Sequence, residues 1–326
     1  MAQPTVDMLI IGAGPSGLYA AYYAGFRGFS VAVMDSLPEL GGQVTALYPE
    51  KLIYDVAGYP AIKGQDLVDA MVEQAASANP RYLLGQTAEQ LVEADDHVEI
   101  TTSDGTVVQA KTVLITGGIG TFAPRSLPGA EQWEGRGLMY FVPRLDELAG
   151  RDVLIVGGGD SAFDWAVSLE HIARSVTLVH RRRGFRAHAG TVEKVLASSV
   201  RVLVPYEVDT IHGTDTIESV VVRDNSGTEA SESLNVQAVV GALGFIADLG
   251  PFTHWGLEQR KRHILVDQAM RTNLPRVFAA GDIVDYDGKV KLISVGFGEA
   301  ATAVNNASVV IDPSLHVFPG HSSDND

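Results

Sequence analysis

The clearest pattern in the sequence begins with an apolar run over residues 8–11 and a glycine-rich turn over residues 12–17. An alanine-rich helical run and a second apolar run, which ends at Asp35, complete it. Short apolar runs of this kind predict buried strands, and the longer run between them predicts a helix. The order strand, tight turn, helix, strand is typical of half of a parallel α/β sheet.

The same order occurs a second time. A strand is expected over residues 151–156, followed by a turn over residues 157–162, a helix over residues 163–171 and a strand over residues 175–179. Gly12 and Asp35 are 23 residues apart, and so are Gly157 and His180. The repeat predicts two related units.

The remaining pattern completes these units. We expect helices over residues 64–77 and 294–310, the latter opening near Glu299, and strands over residues 81–84, 112–116 and 277–282. Hairpins are expected at residues 98–108, around Asp104-Gly105, and between residues 220–223 and 234–240.

The predicted fold is α/β, with two Rossmann-like, three-layer dinucleotide-binding domains, the second inserted into the first. Each domain carries a β-hairpin or small antiparallel sheet. The boundaries expected are residues 1–120 and 244–326 for the first domain and 121–243 for the second.

The first turn has the chemistry of a dinucleotide site. Gly12 permits the tight turn, Gly14 lets the backbone approach a pyrophosphate, and Gly17 lets helix and strand pack closely. Pro15 and Ser16 complete the motif. Asp35 would accept a hydrogen bond from a ribose hydroxyl and would repel a 2'-phosphate, so this site suits FAD or NAD.

The second site differs from the first in having residues that favour a 2'-phosphate. Its turn contains Gly157, Gly159, Asp160, Ser161 and Ala162, and its second strand ends in His180, Arg181, Arg182 and Arg183, with Arg186 close behind. Guanidinium groups form charge-assisted forks with phosphate, which favours NADPH over NADH. A solvated basic patch is the alternative interpretation.

The composition limits the classes of partner that this chain is expected to bind. The formal net charge is -16, which makes nucleic acid an unfavourable partner and gives no electrostatic help at an anionic membrane. No run of residues is apolar enough to span a bilayer, and no signal-peptide pattern precedes residue 8, so we expect a cytoplasmic protein. The histidines and carboxylates show no metal-ligand spacing. Cysteine is absent, which excludes dithiol chemistry.

One chain with both kinds of site most simply holds FAD and NADPH together. Hydride would then pass from nicotinamide to flavin, so the cofactors carry the chemistry and no acid–base triad is expected. An aromatic-bearing loop with Tyr48, Tyr54 and Tyr59 could supply a ring that stacks on a flat cofactor, or it could be an ordinary loop.

The motifs GAGPSG, GGQ at Gly41, VLITGG, GGGDSA, HRRRGFRAH, and AAGD followed by GFGEA occur in this order. From about residue 6 onward they resemble the thioredoxin-reductase-like flavoproteins. Those enzymes carry a Cys-x-x-Cys before the second turn, where this chain reads GLMYFVPR at residues 137–144. The stretch GGQVTALYPEKLIYDVAGYP and the C-terminal extension narrow the resemblance to thioredoxin-reductase-like ferredoxin–NADP+ reductases, which are homodimeric FAD enzymes.

The resemblance implies further site residues. FAD would be held by Gly42, Gln43, Phe122 and Asp282 beside the first turn, with a backbone contact to adenine near Ala88. Tyr48 would stack on one flavin face. His321, in the extension, would stack on the opposite face of the partner subunit's flavin, with Ser323 as a nearby polar contact.

The activity implied is electron exchange between NADPH and ferredoxin or flavodoxin through FAD. The alternative is an NADPH-dependent flavin oxidase or diaphorase that reduces oxygen, quinone or another small acceptor. This chain lacks the FxGxxxHxxx(F/Y) motif of flavin monooxygenases, which makes that activity less favoured. A non-catalytic flavin-binding scaffold would not be expected to keep the nicotinamide-phosphate site.

Acidic ferredoxins need a local basic patch on this chain. The candidates are Arg260, Lys261, Arg262, Lys289 and Lys291, and the alternative is that these are ordinary solvated charges.

Overall fold

The structure, a computed structural model, describes residues 5–142, 144–228 and 230–320. Within these residues the chain forms two compact units. The first contains the chain up to Ala46, then Leu52–Thr121, then the chain from Ala247 onward. The second contains Leu47–Lys51 and Phe122–Ile246, so it is inserted in the first.

The α-helices of the described chain are α1 Pro15–Phe26, α2 Gln43–Leu47, α3 Gly64–Ala76, α4 Asp160–Leu169, α5 Ala189–Leu196 and α6 Ile293–Ile311. The strands are β1 Thr5–Ile11, β2 Val31–Asp35, β3 Leu52–Ile53, β4 Ile62–Lys63, β5 Arg81–Leu84, β6 Ala88–Glu93, β7 Val98–Thr102, β8 Val107–Ile115, β9 Thr121–Pro124, β10 Leu138–Met139, β11 Asp152–Gly157, β12 Ser175–Val179, β13 Arg201–Leu203, β14 Tyr206–Gly213, β15 Ile217–Asp224, β16 Ser231–Asn235, β17 Ala238–Ala242, β18 Phe245–Asp248, β19 Gln259–Arg260, β20 His263–Leu265, β21 Val277–Ala279 and β22 Val284–Asp285.

The first unit is built on a parallel sheet. Its strand order is β5-β2-β1-β8, and β8 pairs on its far side with the antiparallel β7 over its first half and with the parallel β21 over its second half. Strand β2 is buried along its whole length and β1 over most of it, as expected of strands that are covered on both faces. Helices α1, α3 and α6 cover one face, and the segment around Phe252 and Trp255 packs on the other.

The second unit repeats this plan on a smaller scale. Its sheet has the order β10-β17-β11-β12-β13, and all its pairings are parallel. Helices α4 and α5 pack on one face through Phe163 and Val195. The antiparallel sheet β14-β15-β16 packs on the other face through Val220 and Leu234.

Most of the expected elements are confirmed. The helix expected at residues 64–77 is α3, the strand expected at residues 81–84 is β5, and β7 and β8 form the hairpin around Asp104-Gly105. The strand expected at residues 112–116 is the end of β8 rather than a separate element.

The single strand expected over residues 234–240 is wrong. The run is two strands: β16 pairs antiparallel with β15, and β17 pairs parallel with β11. Between them, Gln237 accepts a hydrogen bond from the backbone N–H of Asp152 through Oε1, at 3.0 Å. The chain thus changes sheets inside a stretch that begins with alternating apolar and polar residues, a pattern that one continuous strand would also give.

Candidate functional site

The turn after β1 needs glycine at two positions, Gly12 and Gly17. Gly12 has φ +114, and a Cβ there would lie 2.5 Å from the backbone oxygen of Thr116. A Cβ on Gly17 would meet the backbone oxygen of Gly12 and would lie 2.8 Å from Thr116 Oγ1. Thr116 itself is buried and donates to the backbone oxygens of Ile11 and Gly12, at 3.2 and 2.8 Å. The close approach of β1, α1 and β8 that the sequence predicts is therefore present.

The N-terminus of α1 is open to an anion. Gly14 is its N-cap in an extended conformation, Pro15 occupies the first turn, and no side chain caps the helix. The first N–H groups of a helix have no intrahelical acceptor, so they are free to bind a phosphate at the positive end of the helix dipole. This arrangement fits the pyrophosphate of a dinucleotide.

Asp35 lies at the carboxyl end of β2, beside this turn. Its Oδ2 accepts from the N–H of Ala13 at 2.6 Å, and its Oδ1 accepts from the N–H of Leu37 at 2.8 Å. Burial raises the pKa of Asp35, while the backbone hydrogen bonds act in the opposite direction. The carboxylate has about four acceptor sites and three backbone donors, from Ala13, Ser36 and Leu37, so it can still accept from a ribose hydroxyl, whereas its charge would repel a phosphate.

Two further loops of the first unit converge on the turn. The N–H of Gly41 donates to the backbone oxygen of Ala13 at 2.9 Å, and a Cβ on Gly42 would lie 3.0 Å from the Cα of Gly14. A Cβ on Gly281 would lie 2.9 Å from Ser16 Oγ. The loop before α2 and the loop after β21 therefore meet at the carboxyl ends of parallel strands, where open α/β sheets bind their ligands.

Gln43, Ala88 and Asp282 belong to the same unit. A Cβ on Gly118 would lie 3.7 Å from Gln43 Nε2, so Gln43 reaches the loop after β8. Ala88 is buried at the start of β6, and the loop just before it donates from the N–H of Gln86 to the backbone oxygen of Asp35, at 2.9 Å. Asp282 follows Gly281 directly. The side chain of Phe122, and residues His321 and Ser323, lie outside the described residues.

A buried polar network supports the loop that carries Asp282. Glu299 accepts from the N–H of Gly281 through Oε2 at 2.8 Å, and from Tyr286 Oη and Lys289 Nζ through Oε1 at 2.6 and 2.5 Å. The side chains of Lys289 and Glu299 are 4% and 5% exposed. Burial and the bond to Glu299 raise the pKa of Tyr286 to about 12. Burial also raises the pKa of Asp282, although Lys289 acts in the opposite direction.

This network corrects two expectations. Lys289 was a candidate for ferredoxin docking, but it is buried in an ion pair and cannot meet a protein surface. Helix α6 begins at Ile293, so Glu299 lies in its second turn rather than at its opening. The signal that could have identified the pair is an isolated acid in an otherwise apolar helix, which needs a buried partner.

The second turn repeats the first. A Cβ on Gly157 would meet the backbone oxygen of Ala242 and would lie 3.0 Å from the Cβ of Ala162. Gly159 is the N-cap of α4 in an extended conformation, and Asp160 and Ser161 begin the helix, which no side chain caps. The N–H groups of this turn are therefore as open to a pyrophosphate as those of α1.

The end of β12 differs from the end of β2. The His180 ring packs against Gly158, where a Cβ would lie 2.6 Å from its Cγ. The N–H of Arg186 donates to the backbone oxygen of Gly158 at 2.8 Å, which holds the arginine loop beside the glycine turn. Burial and the neighbouring arginines lower the pKa of His180, so its ring is neutral at pH 7.

The arginines of this loop are available to a ligand. The side chains of Arg181, Arg182, Arg183 and Arg186 are exposed. In the described part of the chain, none of the four has an acidic partner within 4 Å. Four cations without partners beside a dinucleotide turn suit a 2'-phosphate.

Tyr48 is not grouped with the first turn. The segment Leu47–Lys51 belongs to the second unit, where Tyr48 packs on the cluster that includes Phe163 and Trp165. Lys51 forms an ion pair with Asp164 at 2.5 Å, and Glu50 Oε2 accepts from the N–H of Leu145 at 2.7 Å. Tyr54 and Tyr59, the other rings of the loop, are 64% and 45% exposed.

The basic candidates for docking are reduced in number. Arg260 is held by Asp285 at 2.7 Å and by Asp287 at 3.2 Å, and Lys291 Nζ lies 2.5 Å from His263 Nε2. Lys261, Arg262 and Lys291 remain exposed. Among the described residues, no group of three or more His, Asp or Glu could hold a metal ion, and no helix is long and apolar enough to cross a membrane.

Known proteins with similar sequences share this organisation. The pyridine nucleotide-disulphide oxidoreductase family matches residues 6–307. A ferredoxin–NADP reductase of Nocardioides sp. is 64% identical over 98% of this chain and 97% of its own length. The ferredoxin–NADP reductase of Frankia alni is 63% identical over 97% of this chain and 98% of its own.

Solved structures agree on the fold. Thioredoxin reductase from T. acidophilum superposes with a TM-score of 0.83 at 25% identity, covering 96% of this chain and 99% of its own. These comparisons confirm the expected resemblance and the expected α/β fold with two Rossmann-type domains. The chain belongs to the pyridine nucleotide-disulphide oxidoreductase family.

Proposed function

We propose that this chain is a ferredoxin–NADP reductase that exchanges electrons reversibly between NADPH and two ferredoxin molecules. The names of the relatives at 61–64% identity over nearly the full length confirm the activity expected from the sequence, with FAD and NADP(H) as its cofactors. The observation that carries the proposal is the pair of glycine turns with opposite strand ends in a chain without cysteine. Disulphide reduction by a thiol pair is therefore excluded.

The first unit fits FAD. The turn from Gly12 to Gly17 leaves room for a pyrophosphate, Asp35 offers ribose acceptors, and Gly42 and Gly281 close on the turn. We assign Gly14, Pro15 and Ser16 to the pyrophosphate, and Gln43, Ala88, Phe122 and Asp282 to the rest of the cofactor. When bound, FAD takes a hydride from NADPH and releases its electrons singly, which is the chemistry that this reaction needs.

The second unit fits NADPH. Gly157, Gly159, Asp160, Ser161 and Ala162 form its pyrophosphate turn. His180, Arg181, Arg182 and Arg186 form the loop for the 2'-phosphate. The protein's contribution is orientation and electrostatics: the helix N-termini and guanidinium groups hold charge, and no side chain is assigned to proton transfer.

We further propose a cytoplasmic homodimer, in which Tyr48 stacks on one flavin face and His321 of the partner subunit covers the other, with Ser323 beside it. Flavodoxin is a second acceptor of the same kind. The resemblance to thioredoxin-reductase-like ferredoxin–NADP+ reductases supports these assignments. Lys261, Arg262 and Lys291 are exposed cations that an acidic partner would meet.

The experiment is NADPH-driven cytochrome c reduction by the FAD-loaded enzyme, with and without added ferredoxin. We expect ferredoxin to stimulate the rate strongly. A rate that ferredoxin leaves unchanged would favour the oxidase or diaphorase alternative, and oxygen and quinone would then be assayed as acceptors.

A further inference from the structure

The C-terminal extension begins where α6 ends at Ile311. Asp312 caps this turn: its Oδ1 accepts from the N–H and Oγ of Ser314, at 2.9 and 2.7 Å, and its backbone oxygen accepts from the N–H of Leu315 at 3.1 Å. Beyond Leu315 the large apolar side chains of the described extension are exposed. Val317 is 41% exposed and Phe318 is 62% exposed. Side-chain burial is therefore not what fixes its course.

Arg27 supplies the missing attachment. It is the C-cap residue of α1 and is half-buried. Its Nη1 donates to the backbone oxygen of Val317 and its Nη2 donates to the backbone oxygen of His316, each at 3.2 Å. One guanidinium group thus binds two consecutive carbonyls of the extension. A planar fork of donors suits this task, and the single ammonium of a lysine does not.

Helix α6 also binds the same guanidinium group. Nη1 also donates to Asn305 Oδ1, and Nη2 donates to Ser308 Oγ at 3.3 Å. Asn305 in turn donates from Nδ2 to Tyr23 Oη on α1, at 3.1 Å, and Ser308 is fully buried. Within the described ranges Arg27 has no acidic partner within 4 Å. The four donors of Nη1 and Nη2 are therefore all used, and through them Arg27 joins α1 to α6 and to the extension.

We propose that Arg27 is a positioning residue that clamps the C-terminal extension to the first unit at His316 and Val317. This inference rests on the proposed function for one consequence: by fixing His316 and Val317, Arg27 places His321 for its contact with the partner's flavin. The clamp itself is a statement about residues 312–320 and stands apart from that contact.

The first test is limited digestion of the FAD-loaded enzyme with thermolysin under native conditions, with cleavage before Val317 followed by mass spectrometry. Arg27→Met keeps the length of the side chain but removes every donor. We expect it to raise the cleavage rate about tenfold, the factor that corresponds to about 1.4 kcal/mol. Arg27→Lys keeps the charge but loses the planar fork of donors. Its cleavage rate is expected to lie between those of the wild type and Arg27→Met.

The matched control is Arg136→Met. Arg136 also binds two backbone oxygens, those of Asp215 and Thr214, at 2.7 and 2.6 Å, but it does so in the second unit. Its loss should leave cleavage before Val317 unchanged. Cleavage before the exposed Val290 is the internal standard, and it should be equal in all the variants. Equal rates before Val317 in wild type and Arg27→Met, or a parallel rise before Val290, would overturn the clamp.

The second test uses the visible absorption spectrum of the bound flavin. Arg27→Met and His321→Ala should shift the spectrum in the same way, and the double variant should show no further shift. A normal spectrum in Arg27→Met beside an altered one in His321→Ala would overturn the positioning role. If His321→Ala itself has no effect, the proposed flavin contact fails, and the thermolysin rates decide the clamp alone.

Discussion

The two glycine turns each lead into a helix N-terminus that no side chain caps, and they differ where the neighbouring strand ends. In the first unit that end is Asp35, which is buried and binds the N–H groups of Ala13 and Leu37. In the second it is the neutral ring of His180, followed by exposed arginines. We therefore assign a dinucleotide site to each turn, and we propose that the end of the second strand decides whether a 2'-phosphate is repelled or bound.

The largest expected effect separates the two turns. Gly12→Ala should yield protein without FAD, because the new Cβ would lie 2.5 Å from a backbone oxygen and φ is +114. Gly157→Ala should keep its FAD but lose reduction by NADPH, because its Cβ would meet the backbone of Ala242. The measurement is the ratio of flavin to protein absorbance, followed by NADPH-driven bleaching of the flavin.

Gly190→Ala is the control for this pair, since a Cβ there meets nothing within 4 Å. It should retain both FAD content and reduction. If Gly157→Ala also lost FAD while its thermal midpoint stayed normal, the two sites would not be independent.

The next effect compares two ion pairs. Lys289–Glu299 is buried in the first unit, whereas Arg201–Glu232 in the second has side chains 51% and 38% exposed. Removing one partner of a buried pair costs about 3–5 kcal/mol, because the remaining charge has no compensation. An exposed pair contributes about 0.2–1 kcal/mol. Denaturant unfolding of Glu299→Gln and Glu232→Gln should show this difference, and equal losses would mean that Lys289 is solvated.

The smallest effect is a pH dependence. Burial raises the pKa of Asp35, so it takes up a proton at a higher pH than an ordinary aspartate. FAD retention by the wild type should therefore fall as the pH drops through that range. The fall should be less than about tenfold, because a protonated carboxyl keeps one acceptor oxygen. Asp35→Asn should retain FAD equally across the pH range. A wild-type curve as flat as that of Asp35→Asn would mean that the charge of Asp35 does not contribute to FAD binding.

Sequence was most informative where one residue type has one physical use. The glycines of both turns, Asp35 and the arginines after His180 predict the two sites, because a close approach needs glycine and a phosphate needs cations. Short, mostly apolar segments predicted β1, β5 and β12, because such segments are typical of buried strands.

Contacts between distant residues were not predictable in this way. The burial of Lys289 depends on Glu299 in the following helix, and the alternating pattern that begins at residue 234 fits one strand as well as two strands in different sheets. Residues 47–51 have no pattern that links them to Asp164. Each of these features is decided by which segments the fold brings together, not by local composition.

The central claim is that the second unit binds a 2'-phosphate, which the Asp35 end of the first unit would repel. It is tested most directly by titration calorimetry of the FAD-loaded enzyme with 2',5'-ADP and with ADP. Two or more charge-assisted hydrogen bonds to the 2'-phosphate should make 2',5'-ADP bind roughly 10–100-fold more tightly. The double variant Arg181→Ala/Arg182→Ala should bind both ligands equally and keep its full FAD content. Equal affinities in the wild type, or an unchanged preference in the double variant, would contradict the assignment of NADPH to the second unit.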